Sequence, residues 1–261
     1  MHTKTSLMDD LKQLNIKKQG TLLVHSSYKS IGDVKGGPAT VLDSLSSYMK
    51  EGLLVLPTHT WDYINKDNAV FNVLESPSNV GILTEKFRKR KGIYRSEHPT
   101  HSVAALGQDA KCFTKNEYRH ETPCARASVW GKLLDRKAQI LLIGVDLTKN
   151  TFMHGIEEWV NTPGRITDTY TDLYSILYSG EKVHVPSRRH CGSSSSEHYW
   201  KVEDLLLEEG AMRKGTFGDA SVRILDAEKT ALLLSELLVK NPALFSTNEP
   251  LTDTWRYYFH D

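Results

Sequence analysis

The chain carries almost no net charge and contains no long apolar run. Its 33 lysines and arginines balance 32 aspartates and glutamates, so the formal net charge is only +1. Without a strong field of either sign, the composition indicates neither a nucleic-acid partner nor a membrane surface. No apolar run approaches the roughly 20 residues that a membrane-spanning helix needs. We therefore expect a protein that binds neither nucleic acid nor membrane.

The chain is also poor in cysteine. Cys112, Cys124 and Cys191 are widely spaced and form no CxxC pair. Their odd number and their spacing argue against a disulfide framework and against a structural zinc site. A reducing cytoplasm is therefore the expected compartment. The N-terminal residues lack the apolar segment of a signal peptide, and no Gly-x-Ser-x-Gly elbow indicates an α/β-hydrolase.

The residues that are present fit one folded unit. The 261 residues are 39% hydrophobic, which is enough for one sizeable core. In the second half, residues 166–178 and 182–185 alternate like antiparallel strands about a turn at residues 179–181. We predict an α/β fold, with a central mixed, largely parallel sheet flanked by helices and a smaller antiparallel β-rich portion in the second half. We treat residues 1–261 as one domain with a β-rich insertion at about 165–200.

The most informative stretch combines a strand, a polar turn and a helix. Residues 140–145 form a continuous apolar run, typical of a strand covered on both faces. The following helix carries His154 with Glu157 at i+3 and Glu158 at i+4, so carboxylates lie within reach of the imidazole. A histidine oriented by a carboxylate at a strand end is a candidate general base. An ordinary contact along the helix is the simpler alternative.

A second candidate site follows the predicted strand at residues 21–25. A loop of small residues leads through Gly36 and Gly37 to Pro38, a favourable first residue for a helix at residues 39–49. A strand, a glycine-rich loop and a helix can hold phosphate on backbone N–H groups. The spacing matches neither Walker A nor GxGxxG, so an ordinary strand-to-helix turn is the alternative.

Polar and aromatic residues follow the predicted strand at residues 53–56. His59 and Asp62 offer acid–base groups, and Trp61 and Tyr63 offer a stacking wall. The alternative is a loop whose aromatic rings cover the edge of the core.

Two further histidines, His98 and His101, raise the alternative of a metal-dependent hydrolase. Their spacing in an extended loop is not the helical i,i+4 spacing of metalloproteases, and no acidic third ligand is near them in the sequence. We therefore expect no metal.

Several short segments form a specific set when they are taken in chain order over roughly residues 15–245. They are residues 23–27 with 34–37, residues 56–60, Arg95-Ser96 with His98-Pro99 and Ser102, residues 142–145, Asn150-Thr151 with His154 and Glu157, His190-Cys191, and Gly215 with residues 218–220. This set resembles the aminoglycoside 3-N-acetyltransferase family, the antibiotic N-acetyltransferases of non-GNAT fold.

The resemblance implies direct acetyl transfer from acetyl-CoA to an amine of an aminocyclitol antibiotic, by resemblance at its 3-N position. His154 would be the base and Glu157 would orient it. Backbone or hydroxyl donors would stabilise the tetrahedral oxyanion. The resemblance places coenzyme A against His25, Ser26, Ser27, Lys29, Ser30, Val34, Lys35, Gly36, Gly37, Thr58, Ser102 and Val103.

The acceptor, a small-molecule amine, is expected to contact His59, Trp61, Asp62, Tyr63, Glu97 and Glu158. A polycationic aminoglycoside favours a pocket rich in carboxylates, but the loops that would face it also contain several arginines. An amino sugar, including one linked to a nucleotide whose phosphate pairs with arginine, is therefore the alternative acceptor. A non-catalytic binding module of the same fold is a further alternative. The aromatic tail at residues 255–259 could mediate a homo-oligomer or could pack on its own domain.

Overall fold

The computed structural model describes residues 1–191, 195–252 and 255. Within these ranges the α-helices are α1 (Lys4–Gln13), α2 (Gly37–Tyr48), α3 (Ile82–Arg88), α4 (Ala110–Thr114), α5 (Val129–Asp135), α6 (Thr151–Trp159), α7 (Glu203–Glu208) and α8 (Ala227–Lys240). The strands are β1 (Thr21–Ser26), β2 (Leu53–Pro57), β3 (Val70–Asn72), β4 (Tyr94–Arg95), β5 (Val103–Leu106), β6 (Gln139–Ile143), β7 (Thr171–Ile176), β8 (Lys182–Ser187), β9 (Met212–Phe217) and β10 (Ala220–Asp226). A 3-10 helix at Ser195–Val202 leads into α7.

The main sheet has the strand order β4-β5-β2-β1-β6-β10-β9. The pairs β1–β2 and β1–β6 are parallel, and the other pairs are antiparallel. The predicted mixed sheet with flanking helices is confirmed, although its parallel part is limited to the three central strands. Short connections join β4 to β5 and β9 to β10, so these two pairs are antiparallel, because parallel pairing needs a long crossover. Gly218, at φ +58°, lies in the tight turn between β9 and β10.

Alternate residues of β1 point into two separate cores. Leu23 packs into the core beneath α5, α6, α7 and α8, whereas Leu22 and Val24 pack into the core beneath α1, α2 and α3. A strand imposes this period of two, because successive side chains point to opposite faces of the sheet. β6 is buried along its whole length because helices cover both faces of the central strands.

A smaller sheet has the strand order β3-β7-β8. β7 and β8 form an antiparallel hairpin, as the alternating pattern and the turn at Gly180 predict. β3 pairs in parallel with β7 and comes from residues 65–79, a polar stretch whose sequence predicts an irregular segment. Phe71 explains the difference, because its fully buried ring packs with Ile64, Val73 and Leu173 in a separate small core.

The three parallel strands end at one edge of the main sheet. β1 ends at Ser26, β2 at Pro57 and β6 at Ile143. The carboxyl ends of neighbouring parallel strands share an edge, and this is where α/β sheets bind ligands. The segments that follow these strands therefore converge there.

No helix within the described ranges is both long and apolar enough to cross a bilayer. Trp255 is buried, and the other residues of the predicted aromatic tail, 256–259, lie outside the described ranges.

Candidate active site

His154 lies in the first turn of α6, and three polar groups surround its Nδ1 atom. Glu157 Oε2 lies 3.4 Å from Nδ1, and Tyr199 Oη and Arg165 Nη2 each lie 2.5 Å from it. Glu157 is 1% exposed and Tyr199 is 0% exposed. The i,i+3 spacing on the helix places Glu157 beside the imidazole. The imidazole is therefore held by a carboxylate and by two residues from other segments.

Tyr199 and Arg165 also contact the Glu157 carboxylate. The Tyr199 hydroxyl donates to Oε2, and Arg165 Nε lies 3.0 Å from the same oxygen. That distance makes an ion pair, but the Nε–H does not point at the oxygen and has no hydrogen-bond partner among the described residues. Arg165 Nη1 donates to the Cys191 carbonyl at 3.3 Å. A cation and a hydroxyl together fix the carboxylate beside the imidazole.

The imidazole of His154 lines a cleft of about 460 Å³. The lining combines residues from three segments that are far apart in the sequence: His25 and Ser26 of β1, His59 and Trp61 after β2, and Thr151 and His154 of α6. These segments meet because β2, β1 and β6 are adjacent and parallel. The sheet topology therefore creates the cleft.

Three polar atoms of the cleft lining are buried and have no hydrogen-bond partner within the described ranges: His25 Nε2, Ser26 Oγ and His59 Nδ1. Leaving a buried polar group unpaired costs about 1–3 kcal/mol. The other ring nitrogen of His59, Nε2, lies 3.1 Å from Thr151 Oγ1. The cleft therefore presents oriented polar groups whose hydrogen bonds a ligand would complete.

Burial keeps the imidazoles of this cleft neutral. Burial and the nearby His154 lower the pKa of His25 to about 3. Burial and neighbouring positive groups also lower the pKa of His59. Burial lowers the pKa of His154, the hydrogen bond that Glu157 accepts from it opposes this shift, and the charge of Arg165 adds to the shift. A neutral imidazole can accept a proton, which is the state that a general base requires.

The predicted phosphate-binding loop begins at the cleft and ends at α2. Gly36, in the left-handed region at φ +84°, caps the helix, and Gly37 follows at φ +65°. A Cβ atom on Gly36 would lie 2.5 Å from Thr40 Oγ1. Both the backbone conformation and the available space therefore require glycine at position 36.

The other predicted donor-side residues of this loop have different environments. Lys29 and Lys35 are exposed. Ser30 Oγ donates to Ser27 Oγ at 3.1 Å, so these two hydroxyls hold the loop together. Val34 is buried in the core. Only the two lysines extend from this group into solvent.

Thr58, Ser102 and Val103, which are expected near the thioester, are not among the residues that line the cleft. The hydroxyls of Thr58 and Ser102 lie 3.0 Å apart, and each accepts from Arg95 Nε at 3.1 Å. The Val103 N–H donates to Ser96 Oγ at 2.9 Å. Antiparallel pairing of β2 with β5 directs these groups into the sheet, so they belong to the framework of the site.

Of the residues predicted to contact the acceptor, His59 and Trp61 line the cleft. The Trp61 side chain is 46% exposed, so its ring is accessible to a ligand. Tyr63 Oη donates to the Pro77 carbonyl at 2.5 Å, and Asp62 is exposed outside the lining. Of the two aromatic residues predicted to form a stacking wall, Trp61 lines the cleft and Tyr63 does not.

The two predicted acceptor carboxylates, Glu97 and Glu158, lie in other cavities. Glu97 lines a separate cavity of about 390 Å³ and accepts from the Asn116 N–H at 2.9 Å. Glu158 lines a cavity of about 510 Å³, and burial raises its pKa to about 7. Its Oε1 accepts from the Cys124 N–H at 2.8 Å and lies 2.5 Å from His190 Nε2. Neither carboxylate lines the cleft that holds His154.

Cys124, Glu158 and His190 bring a thiol, a carboxylate and an imidazole within 4.8 Å of one another. They are the one set of three potential metal ligands found among the described residues, and His98 and His101 are not in it. His98 Nδ1 accepts from the backbone N–H of His101 at 3.1 Å, which holds their loop in place.

Tyr199 and Arg165 are site residues that the sequence did not indicate. Tyr199 is 45 positions from His154 and Arg165 is 11 positions from it, on segments with no pattern that links them to α6. A single buried tyrosine or arginine has no periodic signal, so only the fold reveals these contacts.

Known proteins are similar to this chain in sequence. A family model described as aminoglycoside 3-N-acetyltransferase matches residues 23–238. An aminoglycoside N(3')-acetyltransferase-like protein of Bacillus subtilis, from the SPbeta prophage, is 33% identical over 173 residues, which cover 58% of this chain and 63% of that protein. Aminoglycoside N(3)-acetyltransferase IV from Salmonella is 26% identical over 247 residues, which cover 93% of this chain and 89% of that protein.

Solved structures share the fold. The YokD protein from Bacillus subtilis has a TM-score of 0.80 at 27% identity, covering 93% of this chain and 95% of that one. AAC-IIIb, solved in a binary complex with coenzyme A, has a TM-score of 0.81 at 22% identity, covering 92% and 97%. Since the family model covers most of the chain, the sequence resemblance is confirmed: the chain belongs to the aminoglycoside 3-N-acetyltransferase family, a family of acetyltransferases.

Proposed function

We propose that the chain transfers an acetyl group from acetyl-CoA to an amine of an aminoglycoside, at the 3-N position by family resemblance, with His154 as the general base. One observation carries the proposal. A neutral imidazole, backed by Glu157, lines the same cleft as the unpartnered polar atoms of His25 and Ser26. Donor-binding groups and a base that face one cleft are the requirement for direct transfer.

Coenzyme A lies along the loop that begins at the cleft. Its phosphates pair with Lys29 and Lys35 and with the backbone of Gly36 and Gly37 at the start of α2. The left-handed conformation of both glycines turns the loop into the helix, and the lack of side chains at these positions leaves their backbone accessible to coenzyme A. The binary complex of AAC-IIIb with coenzyme A supports this choice of donor.

The acceptor amine attacks the thioester directly. An alkylammonium has a pKa of about 10, so the amine must lose a proton before its nitrogen can form the new C–N bond. His154 accepts that proton through Nε2, because Nδ1 is engaged by its neighbours. The Ser26 hydroxyl, which has no partner in the described structure, can donate to the tetrahedral oxyanion.

The cysteines do not offer a covalent route. Burial raises the pKa of Cys124 well above its ordinary value, so its thiol stays protonated. Neither Cys124, Cys112 nor Cys191 is part of the cleft lining. A nucleophilic cysteine needs thiolate character and access to the thioester, so direct transfer within a ternary complex is the simpler reaction.

A second candidate acceptor is an amino sugar, including one linked to a nucleotide. The described lining of the cleft contains no carboxylate, and its one lysine, Lys149, is exposed. A polycation gains less from such a surface than from an acidic one. An acceptor that carries a phosphate could pair with Lys149 instead.

A thiol-release assay with acetyl-CoA tests the proposal. It is run with aminoglycosides and with simple and nucleotide-linked amino sugars. Replacing His154 with alanine should lower kcat by about 10²–10⁴-fold, the usual contribution of a general base. His184→Ala is the matched control, because His184 is an exposed histidine on β8 and lies outside the cleft.

The outcomes separate the alternatives. A folded His154→Ala protein with full turnover would remove His154 from the mechanism. Turnover with amino sugars alone would keep the chemistry and change the acceptor. If acetyl-CoA does not bind and the Gly36–Gly37 loop tolerates bulky side chains, the chain is a binding module and not an enzyme.

A further inference from the structure

We infer that Tyr199 sets the tautomer of His154. Its hydroxyl oxygen accepts a hydrogen bond from Nδ1–H and so prevents Arg165 from donating to Nδ1. The Nε2 lone pair then remains available to the acceptor amine. Tyr199 is in this view a positioning residue that acts through His154. The inference rests on the proposed role of His154 as the base, but its main test does not depend on activity.

Two groups compete for a hydrogen bond with Nδ1 of His154. Tyr199 Oη and Arg165 Nη2 both lie 2.5 Å from this atom, and Glu157 Oε2 is farther away at 3.4 Å. A ring nitrogen takes part in one strong hydrogen bond, either as a donor or as an acceptor. The two closest groups would impose opposite roles on it.

A guanidinium can only donate a hydrogen bond. If Arg165 were the partner of Nδ1, this nitrogen would accept, and the neutral ring would carry its proton on Nε2. A ring in that state has no lone pair to offer the acceptor amine through Nε2. Arg165 therefore favours a tautomer that cannot act as the base.

A hydroxyl can donate and accept at the same time. Tyr199 donates its own proton to Glu157 Oε2, and its oxygen keeps lone pairs that can accept the Nδ1–H of His154. This chain of hydrogen bonds runs from the imidazole through the phenol to the carboxylate. With the proton on Nδ1, it satisfies the imidazole, the phenol and the carboxylate and leaves Nε2 as the acceptor, while Arg165 Nη2 gives up its contact with Nδ1.

The surroundings hold this arrangement. The Tyr199 side chain is fully buried, and its ring packs edge-on against Phe245 with centroids 4.7 Å apart. Arg165 keeps two other interactions, since its Nε forms an ion pair with Glu157 at 3.0 Å and its Nη1 donates to the Cys191 carbonyl at 3.3 Å. These interactions hold the guanidinium without a hydrogen bond from Nη2 to the imidazole, whereas at 3.4 Å Glu157 alone holds the imidazole only weakly.

The tautomer can be measured directly on the full chain. In protein labelled with ¹⁵N-histidine, the shifts of the two ring nitrogens distinguish the Nδ1–H, Nε2–H and doubly protonated states. The His154 signals are assigned by their loss in His154→Ala. We expect Nδ1–H in the unaltered protein and Nε2–H in Tyr199→Phe, together with a fall in kcat of about 10²-fold, within the range of general-base contributions. The KM for acetyl-CoA should not change.

Two variants complete the experiment. Tyr199→Phe with Arg165→Met removes both competitors, because neither new side chain can donate to Nδ1. Nδ1–H should then return by donation to Glu157, and kcat should recover in part. Tyr170→Phe is the control, because it removes an exposed hydroxyl that lies 2.8 Å from Glu121 and away from His154.

The inference is overturned if His154 in the unaltered protein is Nε2–H, or if Tyr199→Phe leaves the ring Nδ1–H. The first result does not depend on Tyr199→Phe, so a poorly folded Tyr199→Phe would not leave the question open. If His154→Ala keeps full turnover, the proposed function fails instead, and the measured tautomer is then only a structural property of the ring.

Discussion

Replacing Arg95 with methionine tests whether one buried cation joins the two sheets beside the cleft. Arg95 is 2% exposed. Its guanidinium donates to the Thr58 carbonyl at 2.7 Å and to the Ser76 carbonyl at 2.5 Å, and it lies 4.7 Å over the ring of Phe71. Thr58 follows β2 of the main sheet, whereas Phe71 lies in β3 of the small sheet. The variant removes all of these contacts without shortening the side chain greatly.

The expected loss of stability follows from these contacts. The buried Ser76 carbonyl loses a charged donor, which costs about 1–3 kcal/mol. Loss of the desolvated cation–π contact adds about 1–2 kcal/mol. The hydroxyls of Thr58 and Ser102 remain bonded to each other, so they add little. We expect the free energy of unfolding to fall by about 2–5 kcal/mol and the Tm to fall by roughly 4–20 °C.

Urea and thermal unfolding, followed by circular dichroism, measure this loss. Arg90→Met is the control, because Arg90 pairs with Asp43 at 2.8 Å near the surface, where such pairs contribute about 0–1 kcal/mol. Arg95→Lys should lose most of the same stability, since one ammonium cannot reproduce the planar fork. If Arg95→Met is no less stable than Arg90→Met, the buried guanidinium does not join the sheets.

Three further predictions concern the cleft and its loop. Because burial lowers the pKa of His154 below its ordinary 6.5, the neutral base persists at neutral pH; kcat at saturating substrate should fall only as the pH decreases below 6.5, and a decline that begins above this pH would contradict the assignment. Gly144→Ala should lower the free energy of unfolding by about 1–3 kcal/mol, as measured by urea titration. Gly144 has φ +61°, and a Cβ there would lie 2.3 Å from Ser30 Cβ. An unchanged urea midpoint would show that the loop around Ser30 shifts to make room for the methyl group. Gly36→Val should raise the KM for acetyl-CoA several-fold, since its φ of +84° and the nearby Thr40 hydroxyl exclude a side chain; an unchanged KM in a folded protein would place the donor elsewhere.

Local pattern was sufficient for most helices and strands and for the position of Glu157 beside His154. The apolar run at residues 140–145 contains most of β6, which ends at Ile143, because a strand covered on both faces needs no polar alternation. The i,i+3 spacing places Glu157 beside His154, since helix geometry alone brings those positions together. The loop at Gly36 was visible because glycine marks left-handed backbone.

Other features depended on contacts between distant segments. The sequence indicated strands but not their partners, so the extent of parallel pairing was overestimated, and β3 was missed because one buried Phe71 sets it. Thr58 and Ser102 looked like cleft residues from their position after and before strands, yet pairing of β2 with β5 directs them to Arg95.

The sequence by itself determined the secondary structure around the cleft and the carboxylate next to the histidine, because each depends on spacing within a few residues. It also determined the family, because the matching short segments follow one another in a specific order along the chain. Only the tertiary structure decided that Tyr199 and Arg165 meet at His154, and that Glu97 and Glu158 lie in other cavities. Such contacts join residues tens of positions apart. Their free energy comes from packing and from burial of polar groups, which no local pattern encodes.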